Sequence, residues 1–261
     1  MRVLKIASTG MMAQQLNVEV ISNNIANINT TSFKRGRAEF SDLMYQSERR
    51  QGAFSSDAGT IVPVGVQIGL GVKPTAVARV TEQGNLQNTS NRLDVAIEGR
   101  GFFPITLPDG DLAYTRAGTF QLSPEGIIVT VDGFEVDPGI AIPDNATDIE
   151  INRSGEVFAI LDGETEPQLA GRMTLVTFVN EAGLESIGDN LYRETPASGF
   201  EQRGLPGEEG FGLLRQGYIE TSNVNVVEEI TDLISAQRAY EMNAKVIETG
   251  DQMSSTVTNL R

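Results

Sequence analysis

Apolar residues recur at alternating intervals of three and four at both ends of this chain, and the long stretch between those ends changes to a period of two. The N-terminal positions are Leu4, Ala7, Met11, Gln14, Val18, Ile21, Ile25 and Ile28; the C-terminal ones are Val226, Ile230, Leu233, Gln237, Tyr240, Ala244 and Ile247. Such spacing draws one stripe along one side of an α-helix, the pattern of a two-helix seam. The first helix is expected to stop near Asn29, where "NINTTSF" offers side-chain hydrogen bonds that compete with the helical backbone. The second is expected to start at Asn225, a capping residue with Glu228 three positions on, and Glu228 and Glu229 also suit the positive end of the helix dipole. After Ile247 the stripe slips to Val246, Gly250, Met253, Val257 and Leu260.

Between the helices, "GIIVTVDGFEV" reads as two strands joined by Asp132-Gly133, and similar hairpins are expected around Asp109-Gly110 and Asp162-Gly163. About a dozen short strands with regular turn signals follow from this patterning, with no amphipathic helix among them. The fold class is therefore α+β, mainly β. Residues 1–33 and 223–261 form paired terminal helices, 34–70 an extended or hairpin-like arm, and 71–222 a β-rich domain.

Composition excludes several functions. Among 261 residues there is no Cys and no His, which removes disulfides, thiolate metal sites, the usual general base and the commonest zinc ligand. The net charge of −15 repels nucleic acid and anionic lipid. The N-terminus lacks the apolar run of a cleavable signal peptide, and no stretch is long and apolar enough to insert into a membrane. Gly204, Gly207, Gly210 and Gly212 lack the strand, helix and Lys-Ser/Thr context of a phosphate loop and read as a flexible surface loop. Asp109 with Asp111, and Asp144 with Asp148, suit turns better than calcium binding or glycan hydrolysis. No catalytic, cofactor or metal site is expected, and the chain is not expected to be an enzyme.

The terminal stripes ask for more than each other. A two-helix seam covers one side of each helix, leaving Ile6, Met12, Leu16 and Val20 at one end and Val227, Ile234 and Met242 at the other for another molecule. The expected seam sets Leu4, Met11, Val18, Ile21 and Ile25 against Val226, Ile230, Leu233, Tyr240 and Ile247, with Asn23, Asn24 and Asn27 as candidates for hydrogen bonds that fix register between neighbours. Arg49 and Arg50, with Ile61 and Val62 in "TIVPVGVQI", would let the arm reach a neighbouring subunit by ion pairing and strand addition.

"SNNIANINTTSFKR" and "SNVNVVEEITDLISAQRAYEMNAKVI" resemble the axial proteins of the bacterial flagellum, the rod and hook subunits. "QGNLQNTSNRLDVAIEGRGFF", "YTRAGTFQL", "AGLESIGDNLY" and "QGYIETSNVNV" extend the resemblance along nearly the whole chain and point to the distal-rod branch. The resemblance implies terminal helices coiled at the inner wall of a homo-oligomeric helical tube, with the β domain outside. It also implies a rigid drive shaft in the periplasmic part of the basal body, export without a cleaved signal peptide, and other rod proteins, the hook and the surrounding rings as neighbours. A proximal rod or hook subunit is the nearest alternative, and a carboxylate-based cell-wall glycan hydrolase a remote one. Ser32 stands where many members of the family have Gly, so a positive φ there would strain the backbone.

Overall fold

The computed structural model describes residues 2–49, 51, 64–161 and 166–259. It is mainly β, with one long helix at each end, in agreement with the fold class read from the sequence. The chain divides into two compact units, one of residues 1–26, 36–79 and 225–261, the other of 27–35 and 80–224.

The first unit holds α1 (Arg2–Ala26), strands β1 (Gly36–Asp42), β2 (Tyr45–Arg49), β3 (Val66–Gly69) and β4 (Val72–Arg79), and α2 (Val226–Asn259). Asn225 caps α2 by accepting the Val227 N–H at 3.1 Å. β1 pairs antiparallel with β4, from Gly36 opposite Arg79 to Asp42 opposite Val72, and β2 pairs with β3. Hydrogen bonds from the Leu43 N–H to the Gly71 carbonyl and from the Leu70 N–H to the Met44 carbonyl join the two ladders into one ribbon. Residues 36–79 are thus a single out-and-back arm. The sequence division places its return strand β4 in the β-rich domain, but β4 pairs with β1 and groups with the helices, and the second unit resumes at Val80. Pro74 in β4 is tolerated because a two-stranded ribbon has open edges.

The second unit is built on an antiparallel seven-stranded sheet, ordered Glu185–Gly188, Leu191–Arg193, Leu112–Thr115, Phe103–Thr106, Glu135–Val136, Ile128–Thr130 and Phe120–Leu122. A three-stranded sheet of Ala146–Ile151, Glu156–Leu161 and Gln168–Arg172 accompanies it. Alternation is visible along Glu156–Leu161, whose Val157, Ala159 and Leu161 are buried while the residues between them are not. Phe103 and Phe120, edge to face at 5.1 Å, sit in the main core with Ile97, Ile105, Ile128 and Leu175. The Asp109-Gly110 and Asp132-Gly133 hairpins form as expected, Gly133 taking a φ of +87°. Asp162-Gly163 lies outside the described residues, although the strands on either side of it pair. The Gly-rich segment is held by Gly207 N–H to Gly212 carbonyl and Glu208 N–H to Leu205 carbonyl bonds, so these glycines shape a bonded turn.

A buried polar cluster fastens residues 27–35 within this unit. The Glu220 carboxylate, 1% exposed, accepts from Lys34 Nζ and the Gly84 N–H on one oxygen and from Arg116 Nε, at 2.6 Å, on the other. Arg116 Nη1 and Nη2 donate to the carbonyls of Gly101 and Gly99, and Lys34 Nζ also donates to the Glu82 carbonyl. Burial pulls the Lys34 ammonium below the usual lysine range, against the opposing pull of Glu220. Ser32 has a φ of +58°, a conformation that costs a non-glycine residue on the order of 1–3 kcal/mol. Two bonds hold it there, its N–H to the Glu220 carbonyl at 2.8 Å and its hydroxyl to the Arg116 carbonyl at 2.9 Å. Asn223 completes the cluster, accepting the Arg35 N–H and donating to the carbonyls of Val80 and Glu82.

Candidate assembly surface

The two helices of the first unit run antiparallel. Leu4 lies against Gly250, Gly10 against Asn243, and Asn24 Nδ2 donates to Glu229 at 3.1 Å. A Cβ at Gly10 would stand 2.9 Å from the Asn243 amide, so the absence of a side chain at Gly10 makes room for that of Asn243. On α2 the residues withdrawn from solvent are Glu229, Leu233, Ala236, Ala239, Asn243, Ile247, Gly250 and Ser254, again spaced by threes and fours. This seam mixes small and polar residues with Leu233 and Ile247, and it is rotated from the stripe of Val226, Ile230 and Tyr240 expected from the sequence.

That rotation redistributes the anticipated residues. Leu4, Met11, Val18, Ile21 and Ile25 are buried or half-buried on α1, and Leu233 and Ile247 are half-buried on α2. Val226, Ile230, Ile234 and Tyr240 are exposed, Ile230 at 45% and Ile234 at 46%, beside Val227 at 74%. Heptad reading assigns the greasiest stripe to the nearest partner; here small residues win that place because they allow closer approach, and the greasiest stripe is left outward. Replacing Ala236, 2% exposed, by leucine is expected to overpack the seam and cost about 1–3 kcal/mol. A lowered melting temperature in far-UV circular dichroism would show it; an unchanged melt would mean that the seam has room.

The other face of α1 is also covered within the chain. Val20 lies against Gly36, and the Val72 N–H donates to Thr9 Oγ1. Ile6, Leu16 and Val20 are accordingly half-buried, while Met12 stays exposed. The arm supplies a partner that the helical periodicity could not disclose. Asn24 turns inward as well: it donates to the Gly36 carbonyl at 2.9 Å and accepts the Gly36 N–H at 2.8 Å, so its hydrogen bonds fix register inside one chain, not between neighbours. Asn23 lies on the exposed face of α1, and Asn27 accepts from the Thr30 hydroxyl in the turn after the helix. Arg49 ends β2, all five residues of which are exposed; Arg50, Ile61 and Val62 lie outside the described residues.

Among the described residues no helix is long and apolar enough to cross a membrane, and no cluster of acidic side chains is arranged to hold a metal ion. An antiparallel helix pair that holds Ala236, Asn243 and Gly250 inward and leaves Val227, Ile230 and Ile234 exposed carries an apolar surface of the kind that further protein covers. The chain belongs to the family of flagellar basal-body rod and hook proteins, as a structural rod subunit.

Residues 4–34 match the family model described as flagella basal body rod protein, residues 96–159 that of the flagellar hook protein FlgE/F/G D1 domain, and residues 215–260 that of the flagellar basal body rod FlgEFG protein C-terminal. The flagellar basal-body rod protein FlgG of Caulobacter vibrioides is 59% identical over 100% of both chains. The FlgG of Agrobacterium fabrum is 54% identical over 99% of this chain and 98% of its own, and that of Bacillus subtilis 40% identical over 97% and 96%.

Proposed function

We propose that the chain polymerises into the distal part of the flagellar rod, a rigid tubular shaft that transmits torque to the hook. The supporting observation is the outward stripe of Val226, Val227, Ile230 and Ile234 on α2. Fully burying such a side chain contributes roughly 1.5–3 kcal/mol, and among the described residues Val226, Ile230 and Ile234 keep close to half of their surface open and Val227 74%. Contacts between unlike faces repeat without closing, which is how identical subunits build a helical tube instead of a ring. Other rod proteins and the hook are the proposed neighbours at the ends of the tube, and the surrounding rings along it. The purified chain, concentrated alone, is expected to form straight hollow filaments in electron micrographs. A chain that stays monomeric by sedimentation at every concentration reached would refute self-assembly.

The arm is proposed to stiffen that assembly. β2 is exposed along its whole length and its ribbon keeps open edges, so it can pair with a neighbouring copy. Deleting residues 46–65 is expected to permit polymerisation but to give filaments that curve in micrographs; straight filaments from the deleted chain would remove the arm from this role.

A further inference from the structure

Alongside the helix seam the first unit carries a groove of about 320 Å³ lined by Val18 and Tyr240, by Gln15 and Gln237, and by the acidic residues Glu19 and Glu241. A different side of α2 carries a second pattern. Val227, Ile234 and Met242 are exposed there, and Arg238 and Lys245 stand among them two turns apart. Their spacing puts all five on one helix face, whose centre lies about a quarter turn around α2 from that of the groove residues, with Glu241 at the border between the two, three residues after Arg238 and four before Lys245. Neither cation makes an ion pair with any described residue, nor does Glu241. The chain therefore presents an apolar groove with acidic residues and, adjoining it along α2, an apolar ridge with basic residues.

We infer that the acidic groove of one copy receives the Ile234–Arg238–Met242–Lys245 face of a second copy, with Arg238 and Lys245 meeting Glu19 and Glu241. This rests on the reading of the chain as a self-assembling subunit and specifies which two faces meet. Charge complementarity selects the occupant: a groove edged by two carboxylates rejects an acidic helix and accepts one whose apolar ridge carries cations. Because groove and ridge are different surfaces of the same helix pair, the contact is head-to-tail. Each copy that fills a groove offers its own, and the series stays open. The charges set orientation and partner choice, while Ile234 and Met242 supply the burial.

Two charge-reversed chains test this. One carries Glu19→Lys and Glu241→Lys, the other Arg238→Glu and Lys245→Glu; all four positions are exposed, and far-UV circular dichroism establishes that each variant keeps its helices. Each alone is expected to need at least about tenfold more protein to polymerise at low salt. Mixed in equal amounts they are expected to recover polymerisation, because every groove then finds a ridge of opposite charge in an alternating filament. Variants that polymerise as readily as the unaltered chain, or that fail alone and are not rescued by mixing, would overturn the pairing. Failure of the unaltered chain to polymerise would instead overturn the underlying reading.

Discussion

Replacing Glu220 by alanine is expected to destabilise the second unit by about 3–5 kcal/mol, the largest loss of stability predicted for a single side chain here. Among the described residues Glu220 is the one anion that ion-pairs with both Lys34 and Arg116 in their buried site, and both cations would remain largely withdrawn from water. The cost comes less from the lost attraction than from two charges left without their counter-ion, since a buried charge must be paired or neutralised. Lysine can respond by releasing its proton, toward which burial already biases it, but arginine cannot. The Gly84 N–H also loses its acceptor. Urea unfolding should show the midpoint lowered by more than about 1 M at an unchanged slope. A midpoint within error of the unaltered chain would mean that the cluster relaxes to water and carries little of the stability.

Ile234→Asp is expected to leave folding unchanged and to raise the concentration needed for polymerisation at least about a hundredfold. Ile234 is nearly half exposed in the single chain, and substitutions at such positions alter stability by within about 0.5 kcal/mol. In the proposed assembly the same side chain would lie in an apolar contact, where an unpaired carboxylate costs several kcal/mol or takes up a proton. The separation of the two effects is the informative part. Equal melting curves with no sedimenting polymer would place Ile234 at a subunit contact. Polymerisation at the usual concentration would remove it from one, and a collapsed melt would mean that it belongs to the fold of the single chain.

Much of the fold was legible because local chemistry decides it. Asn225 caps α2, Asp-Gly pairs turn two described hairpins, and period-two segments become strands, each from interactions spanning a few residues. The arm was seen as an excursion, but its return strand was not, because β1 and β4 pair across more than thirty residues and no local signal reports such a partner. The face of α2 was the harder matter. Hydrophobicity says that a stripe will be covered, not by what, and Val226, Ile230, Ile234 and Tyr240 read equally well as seam or as outward surface. The signal that could have separated them is residue size: Gly10, Ala236 and Gly250 mark the side where one helix makes room for the side chains of the other. The Lys34, Arg116 and Glu220 cluster was missed altogether, since single charged residues scattered along the sequence carry no mark of meeting. Ser32 alone hinted at that place, through the expected conflict between its side chain and a left-handed backbone.

The central claim is that the outward face of α2 is where copies of this chain join. A helical reconstruction of filaments grown from the purified chain, resolved to side chains, tests it most directly. Val226, Val227, Ile230 and Ile234 of each copy are expected to be buried against a neighbouring copy, while Ala236 and Gly250 remain turned toward α1 of their own chain. Filaments in which that stripe faces solvent, with copies joined through other surfaces, would contradict it.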